Sequence, residues 1–442
     1  MKITPYVTTH DETLLLKRMK DLEVSLEDSR CLNKITVNSK IVYQEIDGFG
    51  AAMTESSAYL ISKLSKSKQE EVFKDLFTNE GINISLVRTT IGASDFSLNN
   101  YSYNDIDVNE EDLELTKFSI DRDLDYVVPV LQNVKRYQNI KIISSPWSAP
   151  AWMKESKTLN GGRMDSKYLN VYSRYLSKFI KEYKKRDLDV YAITVQNEPL
   201  HEVNSYPTMY MEANQQKELI KEIGNEFSKE NIETKIIAYD HNWDDVKYSQ
   251  EIYQDEVANK YVAGSAFHCY NGDVKNTAIL NNQFPNKDLW FTECSGGSWA
   301  PKFGDNLVWN TENVFIGSIR NRAKSVLLWN LALDETCGPK NGGCQNCRGV
   351  LTIDLEEEKI SKNVEYYVIG HFSKFVLPNA RYIESISNNE NLVTTAFINP
   401  DNSKVIIVLN KGDNDQNVTI KLDGKGFEYK AFKKSVVSLI IK

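Results

Sequence analysis

Two glutamates, Glu198 and Glu293, each follow a short apolar run that is typical of a buried β-strand. The runs are residues 191–196, which lead into Asn197-Glu198-Pro199, and residues 288–292, which lead into Glu293. A carboxylate that follows a strand of a parallel α/β barrel lies at the face where such folds carry out chemistry. Two carboxylates that face one another can act as acid, base or nucleophile, and such a pair is the equipment that breaks a glycosidic bond.

The residue types around the two glutamates predict different roles for them. A general acid needs a raised pKa, which burial and a nearby like charge provide, and Glu198 fits that role. Arg88 is expected to end the second predicted strand and to pair with Glu293, which would stay ionised while Glu198 is protonated. The plainer alternatives are a solvent-facing loop glutamate at 198 and a structural salt bridge at 293.

Other polar side chains follow the predicted strands at the same face. Asp95 could bind two sugar hydroxyls, and Asn197 could hydrogen-bond a hydroxyl next to the scissile centre. Tyr270 could hold the nucleophile by a hydrogen bond. His268 could act beside the two glutamates or be a structural histidine with satisfied nitrogens.

Tryptophans are expected to cluster at this face because six of the seven follow strand-like runs. Indole rings beside a carboxylate pair supply flat apolar platforms for sugars and a donor N–H. Core packing explains Trp290 better, since it lies inside a run, and it is an alternative for Trp309. The six that follow runs are Trp147, Trp152, Trp243, Trp299, Trp309 and Trp329.

The pattern of apolar runs predicts the fold that brings these side chains together. Continuous apolar strands that alternate with helices indicate a parallel sheet covered on both faces. Eight such units in about 300 residues predict a closed (β/α)8 barrel. The runs begin near Ile46, Ile84, Lys141, Tyr191, Lys235, Gly264, Asp288 and Ser325.

Three helices and a second domain complete this prediction. Asp165 is expected to cap a helix whose tyrosines recur through Tyr183, and two more helices are predicted from Ser56 to Phe77 and from Ala213 to Phe227. Beyond Phe375 short alternating runs predict an antiparallel β domain, which two strands near residues 34–43 would complete. The predicted segments are 1–45, N-terminal strands; 46–374, barrel; and 375–442, C-terminal β-sandwich-like domain.

Composition and charge limit the classes of partner. A hydrophobic fraction of 41% and a charged fraction of 26% are those of an ordinary globular protein. The net charge of −8 argues against nucleic acid or an anionic membrane as the main partner. The sequence contains no run of apolar residues long enough to span a bilayer. The N-terminus has no signal-peptide pattern, so a cytoplasmic location is expected.

Three cysteines, Cys337, Cys344 and Cys347, cluster in one predicted loop. A Cys-x-x-Cys pair can belong to a zinc site, but no fourth ligand of the right kind is obvious nearby. A disulfide that stabilises the loop, or free thiols, is the better explanation. No metal is expected.

Several ordered motifs resemble glycoside hydrolase family 30, which includes lysosomal glucosylceramidase. They extend over nearly the whole chain and comprise Gly48-Phe49-Gly50, Ser145-Pro146-Trp147, Gln196-Asn197-Glu198-Pro199, Thr292-Glu293-Cys294, Trp329-Asn330-Leu331 and Gly370-His371-Phe372.

The resemblance implies a (β/α)8 barrel fused to a β-sandwich-like domain, and hydrolysis of β-glycosides with retention and without a cofactor. It matches Glu198 to the acid/base and Glu293 to the nucleophile. It further matches two groups of residues: Asp95, Trp147, Asn197 and Trp329 to the first sugar subsite, and Arg88, His268 and Tyr270 to the surroundings of the nucleophile.

The Asp95 and Trp147 matches favour glucose over xylose in the first subsite. A β-glucosidase of the glucosylceramidase type is therefore the main expectation, with a β-glucoside, glucosylceramide or a β-glucan oligosaccharide as substrate. The alternatives are an endo-β-1,6-glucanase and a β-xylosidase. The loop around Cys344 resembles that of bacterial and fungal family members, which include β-1,6-glucanases. A barrel that binds sugar without cutting it, and a metal-assisted hydrolase, are the rivals from other classes.

Overall fold

The computed structural model describes residues 2–23 and 31–442, so residues 1 and 24–30 of the predicted N-terminal segment lie outside the described residues. Eight parallel strands close into a barrel in chain order, which confirms the predicted fold class. The barrel strands are β1 Gly48–Ala52, β2 Leu86–Ile91, β3 Lys141–Pro146, β4 Val190–Thr194, β5 Lys235–Asn242, β6 Val262–His268, β7 Asp288–Glu293 and β8 Ala323–Leu328.

Side chains from seven of the eight strands fill the barrel interior as one apolar cluster. These strands are apolar throughout because their inner side chains meet one another and their outer side chains meet helices. The interior is therefore packed rather than hollow, and it leaves the carboxyl ends of the strands as the open face. The interior residues are Leu86, Ile143, Ala192, Ile237, Ala266, Trp290 and Leu327.

The tyrosine-rich helix predicted after Asp165 is confirmed. A short 3₁₀ turn, Ser166–Tyr168, is capped by the Asp165 carboxylate and leads into the helix Leu169–Lys184. Tyr172, Tyr175 and Tyr183 are among its buried residues, as the three- and four-residue spacing indicates.

Other helices differ from the prediction in their bounds. The single helix expected from Ser56 to Phe77 is wrong, because extended backbone at Leu64 and Ser65 divides it in two. The α-helices are Glu55–Lys63, Lys66–Phe77, Asp121–Asp125, Val127–Val134, Leu169–Lys184, Ala213–Glu230, Val246–Gln254, Glu256–Tyr261, Lys275–Gln283, Phe303–Trp309, Gly317–Arg320 and Val364–Ser373, with a 3₁₀ turn at Ala151–Met153 and a π-helical segment at Asn310–Ile316.

Strands from both ends of the described chain form one nine-stranded sheet beside the barrel. Side chains from strands across this sheet pack into one apolar core, as the two facing layers of a β-sandwich do. In sheet order the strands are Lys17–Arg18, Ile3–Thr9, Ser435–Ile441, Lys404–Asn410, Leu392–Ile398, Arg381–Ser387, Asn33–Glu45, Gln416–Leu422 and Lys425–Ala431.

The side sheet differs from the prediction in three details. The two strands expected near residues 34–43 are one continuous strand, Asn33–Glu45, whose pairing register shifts along its length. Its pairing with Gln416–Leu422 is parallel, whereas the other pairings in the sheet are antiparallel. Strands Ile3–Thr9 and Arg381–Ser387 were not predicted individually.

His371 joins the barrel to the side sheet. It lies on the helix Val364–Ser373, and its two ring nitrogens contact the hydroxyls of Thr8 and Ser438, each at 2.8 Å. Burial lowers the pKa of His371 to about 3, so the ring is neutral at physiological pH. The contact ties the N-terminal and C-terminal strands to the same barrel helix.

Short strands after the barrel strands brace the open face. Gly296–Gly297 pairs with Cys347–Arg348. This pairing links the loop after β7 to the loop that contains Cys337, Cys344 and Cys347 (the cysteine loop). A second small sheet consists of Ala332–Leu333, Leu351–Asp354 and Lys359–Lys362. None of the helices in residues 2–23 and 31–442 is long and apolar enough to cross a bilayer.

Candidate active site

The two glutamates predicted to do chemistry lie together at the open face of the barrel. Glu293 is the last residue of β7, as expected, whereas Glu198 lies in the loop four residues past the end of β4. Three atoms lie within 4.8 Å of one another: a carboxylate oxygen of Glu198, a carboxylate oxygen of Glu293 and a ring nitrogen of His268. A pair this close fits the separation of about 5–5.5 Å that retaining glycosidases use, and not the ~6.5–9.5 Å of inverting enzymes.

The backbone of Glu198 is held in an unusual conformation. Its φ of +42° lies in the left-handed region, which costs a non-glycine residue about 1–3 kcal/mol. The Glu198 N–H donates to the carbonyl of Asp240 at 2.9 Å, and the Asn197 N–H donates to the carbonyl of Pro146 at 2.8 Å. These bonds to β5 and β3 fix the loop, so the carboxylate is directed toward Glu293.

Arg88 is the cation beneath the carboxylate pair. It lies in the middle of β2, not at its end as expected, and its side chain is fully buried. Its guanidinium forms an ion pair with Glu293 and donates to the Asp240 carboxylate at 2.8 Å and to the Asn197 amide oxygen at 2.7 Å. The predicted pairing with Glu293 is therefore present, and Arg88 also orients Asn197.

Asp240 is a third buried carboxylate that sequence reasoning missed. It accepts hydrogen bonds from Thr194 and Thr292, each at 2.6 Å, and contacts Arg88 and His268. Burial opposes ionisation of Asp240, but Arg88, His268 and Thr194 outweigh it and hold its pKa well below its usual range. The rule that selected Glu293 would have found it, because Asp240 follows the apolar run residues 235–239 on β5.

His268, the last residue of β6, bridges two carboxylates. Its Nε2 lies 3.1 Å from Asp240 and its Nδ1 lies 3.0 Å from Glu198. Burial works against the charged ring, but Glu293, Asp240 and Glu198 outweigh it and raise the pKa of His268 to about 10. The ring is therefore an imidazolium, and its nitrogens are satisfied by site residues.

The pKa values of the two glutamates are ordered opposite to the expectation from sequence. Burial raises the pKa of Glu293, and the attraction of His268 and Arg88 offsets this only in part. Burial also opposes ionisation of Glu198, but the hydrogen bond and charge of His268 lower its pKa. Sequence reasoning placed the cation on Glu293 alone and had no means of placing the imidazolium against Glu198.

Tyr270 lies beside the nucleophile candidate, two residues past β6. Its hydroxyl donates to Glu293 at 3.0 Å, which is the contact expected from the sequence. Because Arg88 contacts the other oxygen of Glu293, the carboxylate is held from two sides. Its orientation is therefore fixed.

Asp95, Trp147 and Trp329 lie together beside the carboxylate pair. The two indoles stack with ring centroids 5.0 Å apart, and the Arg88 guanidinium lies 5.0 Å from the Trp147 ring. Asp95 has a buried oxygen, Oδ1, with no hydrogen-bond partner in the protein. Burial and the charges of Glu293 and Glu198 raise its pKa well above its usual range. An oxygen in this position is available to a sugar hydroxyl.

The tryptophans expected at the open face divide into two groups. Trp152 and Trp243 pack in the main core cluster, apart from the cluster of Trp147 and Trp329, so their predicted placement beside the carboxylate pair is wrong. Trp290 is buried as expected, and its indole N–H donates to Asp47. Trp309 is exposed, which contradicts the core-packing alternative, and Trp299 is exposed as well. Sequence position after a strand does not separate these cases, because loops fold back over the barrel.

The cysteine loop closes the site beside Asp95. Cys344 and Cys347 form a disulfide, whereas Cys337 is a free thiol, so two of the three candidate zinc ligands are consumed. Cys347 is buried in the apolar cluster that contains Trp147 and Trp329. The loop is anchored to Asp95, whose carbonyl accepts from the Asn341 N–H at 2.7 Å.

Tyr206 is a further site residue that the sequence did not single out. It packs against the same apolar cluster, and its hydroxyl lies 2.9 Å from His201. Burial raises its pKa, and the charges of Asp95, Glu198 and Glu293 raise it further, so the phenol is neutral and near all three carboxylates.

Glu198, His268 and Glu293 are close enough to hold a metal ion. Metal-ligating histidine must present a free nitrogen lone pair, and here both ring nitrogens of a protonated His268 contact carboxylates. A metal would have to displace these contacts. The donor set therefore suits proton transfer better than metal binding.

The geometry of a barrel with two facing carboxylates is that of a glycoside hydrolase, and comparisons with known proteins agree. The TIM-barrel domain of glycosyl hydrolase family 30 matches residues 46–376, and the β-sandwich domain of the same family matches residues 379–439. Together they extend over most of the chain. The protein belongs to glycoside hydrolase family 30.

Individual relatives carry two kinds of name. An endo-1,6-β-D-glucanase of Aspergillus fumigatus is 33% identical over 427 residues, which is 90% of this chain and 85% of the relative. A protein of Caenorhabditis elegans that carries the name glucosylceramidase 1 is 29% identical over 402 residues, 86% of this chain and 76% of the relative.

Solved structures of two proteins superpose closely. An endo-β-1,6-glucanase gives a TM-score of 0.93 at 32% identity, over 100% of this chain and 99% of that chain. SrfJ from Salmonella typhimurium gives a TM-score of 0.94 at 25% identity, over all of both chains.

We predict that Asp240→Asn destabilises the protein and impairs the site. Removing one partner of a buried ion pair leaves Arg88 and His268 less compensated, which costs about 3–5 kcal/mol in unfolding free energy. The loss of position should also lower kcat/KM by about a hundredfold. Chemical denaturation and steady-state kinetics measure the two effects.

Asp123→Asn is the matched control, because Asp123 is equally buried but accepts hydrogen bonds from Tyr101, Tyr103 and Tyr183 away from the site. It should lower stability while the folded protein keeps its kcat/KM. Equal kinetic losses in the two variants would contradict a specific role for Asp240.

We predict that opening the Cys344–Cys347 disulfide weakens substrate binding. The loop contacts Asp95 and the indole pair, so its loosening should raise KM by up to about tenfold, the effect of ~1.4 kcal/mol. Kinetics with and without dithiothreitol, and on Cys347→Ser, measure this. Cys337→Ser, in the same loop, should keep the wild-type KM and its sensitivity to reductant; an unchanged KM in Cys347→Ser would refute the prediction.

Proposed function

We propose that the protein hydrolyses β-1,6-linked glucan with retention of configuration at the anomeric carbon. The observation that carries the proposal is the approach of Glu198 and Glu293 to within 4.8 Å above a buried arginine. Retaining enzymes, in which one carboxylate acts as the nucleophile, use a short separation, whereas inverting enzymes use a longer one that admits a water molecule.

Glu293 is the nucleophile because it is the better oriented of the two. Arg88 and Tyr270 hold its two oxygens. In the first step one oxygen attacks the anomeric carbon, the bond to the leaving oxygen breaks, and that oxygen takes a proton from Glu198. The product is a covalent glycosyl ester on Glu293 and a free alcohol.

Glu198 supplies this proton from a pair that it forms with His268. In the unliganded site the proton lies mainly on His268 Nδ1, since the pKa of His268 is raised and that of Glu198 is lowered. The 3.0 Å contact lets the proton pass to Glu198 Oε1 when negative charge develops on the leaving oxygen. Asp240 on the other ring nitrogen fixes the ring for this transfer.

The second step reverses the roles. Glu198, now ionised, takes a proton from water, and the water oxygen attacks the anomeric carbon of the ester. The bond to Glu293 breaks and the sugar leaves with two inversions, hence net retention. The proton returns to the Glu198–His268 pair, and no cofactor is needed.

The first sugar subsite lies over Asp95, Asn197 and the indole pair. The Asn197 oxygen accepts from Arg88, so its amide nitrogen is left to donate to a sugar hydroxyl. The unpartnered oxygen of Asp95 can accept from another. Trp147 and Trp329 provide the apolar surface beside them.

The linkage is proposed from the relatives. The main expectation from the sequence was a β-glucosidase of the glucosylceramidase type, with β-1,6-glucanase as an alternative. Proteins named as endo-1,6-β-D-glucanases match at 30–33% identity, whereas those named as glucosylceramidases match at 27–29%. These values favour the alternative, and glucosylceramide hydrolysis is the second candidate because those relatives cover most of the chain.

A substrate panel tests the proposal. Purified protein is incubated with β-1,6-glucan, gentio-oligosaccharides, β-1,4-xylan and glucosylceramide, and products are separated by chromatography while NMR follows the anomer first released. We expect cleavage of the β-1,6-linked substrates with the β-anomer appearing first. Preferred cleavage of glucosylceramide would favour the second candidate, and release of the α-anomer would refute retention.

We predict different kinetic losses for the two glutamates. Glu293→Gln should abolish turnover of every substrate, because an amide cannot form the ester. Glu198→Gln should slow gentiobiose far more than 4-nitrophenyl β-glucoside, since nitrophenolate leaves without a proton; general acid catalysis contributes about 10²–10⁴-fold. Losses of equal size on the two substrates would contradict the acid role of Glu198.

We predict a bell-shaped pH profile of kcat/KM whose two limbs belong to identified groups. Activity should fall as pH drops through the pKa of Glu293, which burial raises above its ordinary value of 4.5, because the protonated form cannot attack. It should fall at high pH when the Glu198–His268 pair loses its proton. Since the raised pKa of His268 retains that proton, His268→Gln should move the basic limb to lower pH.

His10→Gln, a substitution remote from the site, is the control and should leave both limbs in place. Steady-state kinetics across the pH range on gentiobiose, whose leaving group needs a proton, measure the profile. A basic limb that does not move in His268→Gln would rule out the shared proton.

A further inference from the structure

A cleft lies next to the reaction centre on the side of β6 and β7. It has a volume of about 510 Å³ and is lined by Tyr270, Trp299, Asp305, Trp309 and Asn310, among others. We call it the tryptophan cleft. Its size lies within the range of ~300–1,000 Å³ that is usual for small-molecule sites.

The two indoles that define the tryptophan cleft are unusually exposed. Trp299 and Trp309 are 55% and 46% exposed, and they are the exposed tryptophans among residues 2–23 and 31–442. Leaving large apolar surface in water forgoes the free energy that its burial would provide. Two exposed rings on the wall of one concave site therefore indicate a ligand that covers them.

Trp299 is held in place rather than free to collapse. Its ring lies on the face of Gly297, where an added Cβ would come within 1.9 Å of it. Gly297 in turn pairs with Cys347 in a two-stranded sheet, so the cysteine loop supports the ring from behind. Since its surroundings fix the indole before any ligand arrives, little ordering entropy opposes stacking.

Tyr270 connects the tryptophan cleft to the reaction centre. The same side chain lines the cleft and donates a hydrogen bond to Glu293. Cys294, the residue after Glu293, also lines it. A molecule in the cleft therefore begins beside the anomeric carbon that Glu293 attacks.

The cleft lies on the leaving-group side of that carbon. The first sugar subsite is bounded by Asp95, Trp147 and Trp329, which follow β2, β3 and β8. The cysteine loop closes it, since a Cβ at Gly343 would come within 2.5 Å of the Asp95 Cβ. The cleft follows β6 and β7, and its lining includes none of these three residues. The part of the substrate that departs therefore has the cleft as its open space.

The chemistry of the lining favours a neutral sugar. Indole faces complement the apolar C–H faces of a pyranose, and the Asp305 carboxylate and Asn310 amide at the rim can bond its hydroxyls. A lipid chain would use the rings but form no hydrogen bonds with these polar groups. We propose that the tryptophan cleft binds the glucosyl units on the reducing-end side of the scissile bond, with Trp299 and Trp309 as stacking platforms.

This inference rests on the proposed hydrolysis of β-glucan, and the test separates the two. Kinetics are measured on gentiotetraose, whose leaving group would occupy the cleft, and on β-glucosyl fluoride, whose leaving group is a fluoride ion. Glucosylceramide, whose leaving group carries lipid chains, is the third substrate. The variants are Trp299→Ala, Trp309→Ala and Trp299→Phe. Ile279→Ala, an exposed apolar position on another helix, is the control.

We expect Trp299→Ala and Trp309→Ala to lower kcat/KM on gentiotetraose by about tenfold each, the effect of losing one aromatic stacking contact. The same variants should keep the wild-type kcat/KM on the fluoride. Trp299→Phe should recover most of the loss because it restores a ring, and Ile279→Ala should match wild type on both substrates.

Three results would overturn the inference. The first is an undiminished rate on gentiotetraose in both alanine variants, and the second is an equal loss on both substrates, which would place the indoles at the reaction centre. The third is a loss confined to glucosylceramide, which would make the occupant a lipid. If wild type cleaves no gentiotetraose, the proposed function itself is refuted, whether or not the fluoride is hydrolysed.

Discussion

The buried ion pair between Arg88 and Asp240 is the constraint on which the site depends. Both side chains are fully buried, and a charge in that position is tolerated only when it is paired and hydrogen-bonded. Arg88 extends from Asp240 to Glu293 and Asn197, while Asp240 extends to His268. Four barrel strands and the loop after a fifth therefore meet in one charge network, and moving any of these residues would unpair another.

That network also explains why Glu198 can remain in a strained loop. The left-handed backbone at Glu198 is unfavourable by itself, and hydrogen bonds to β3 and β5 over-determine it. The His268 imidazolium attracts the carboxylate toward the barrel centre. The two glutamates thus share a site because one cationic pair, Arg88 and His268, compensates three carboxylates, which would otherwise repel one another.

The loops above the network decide what the site can admit. The cysteine loop contacts Asp95 and supports Trp299 through its pairing with Gly297. The first sugar subsite and the tryptophan cleft therefore share one structural support. The second support is the side sheet, which His371 ties to the barrel. Substrate selection in this protein is therefore a property of loops fixed to rigid elements, as is usual for barrels.

Much of this could be predicted from the sequence, since periodicity reports burial directly. The eight apolar runs predicted the barrel, and the residues that follow them included Glu198, Glu293, His268 and Tyr270. What failed depended on contacts between distant segments: Trp152 and Trp243 pack in the main core although both follow strands. Asp240 follows an apolar run as Glu293 does, but its pairing with Arg88 and His268 depends on residues of other strands.

The sequence alone determined the closed barrel, the carboxylate pair and the elements that carry it, because strand alternation and apolar runs are local properties of the chain. The tertiary structure alone decided which glutamate shares a proton with His268, which tryptophans face solvent and where the site is closed. These features arise from contacts between residues far apart in the chain, and charges or rings act through distances that no local pattern encodes.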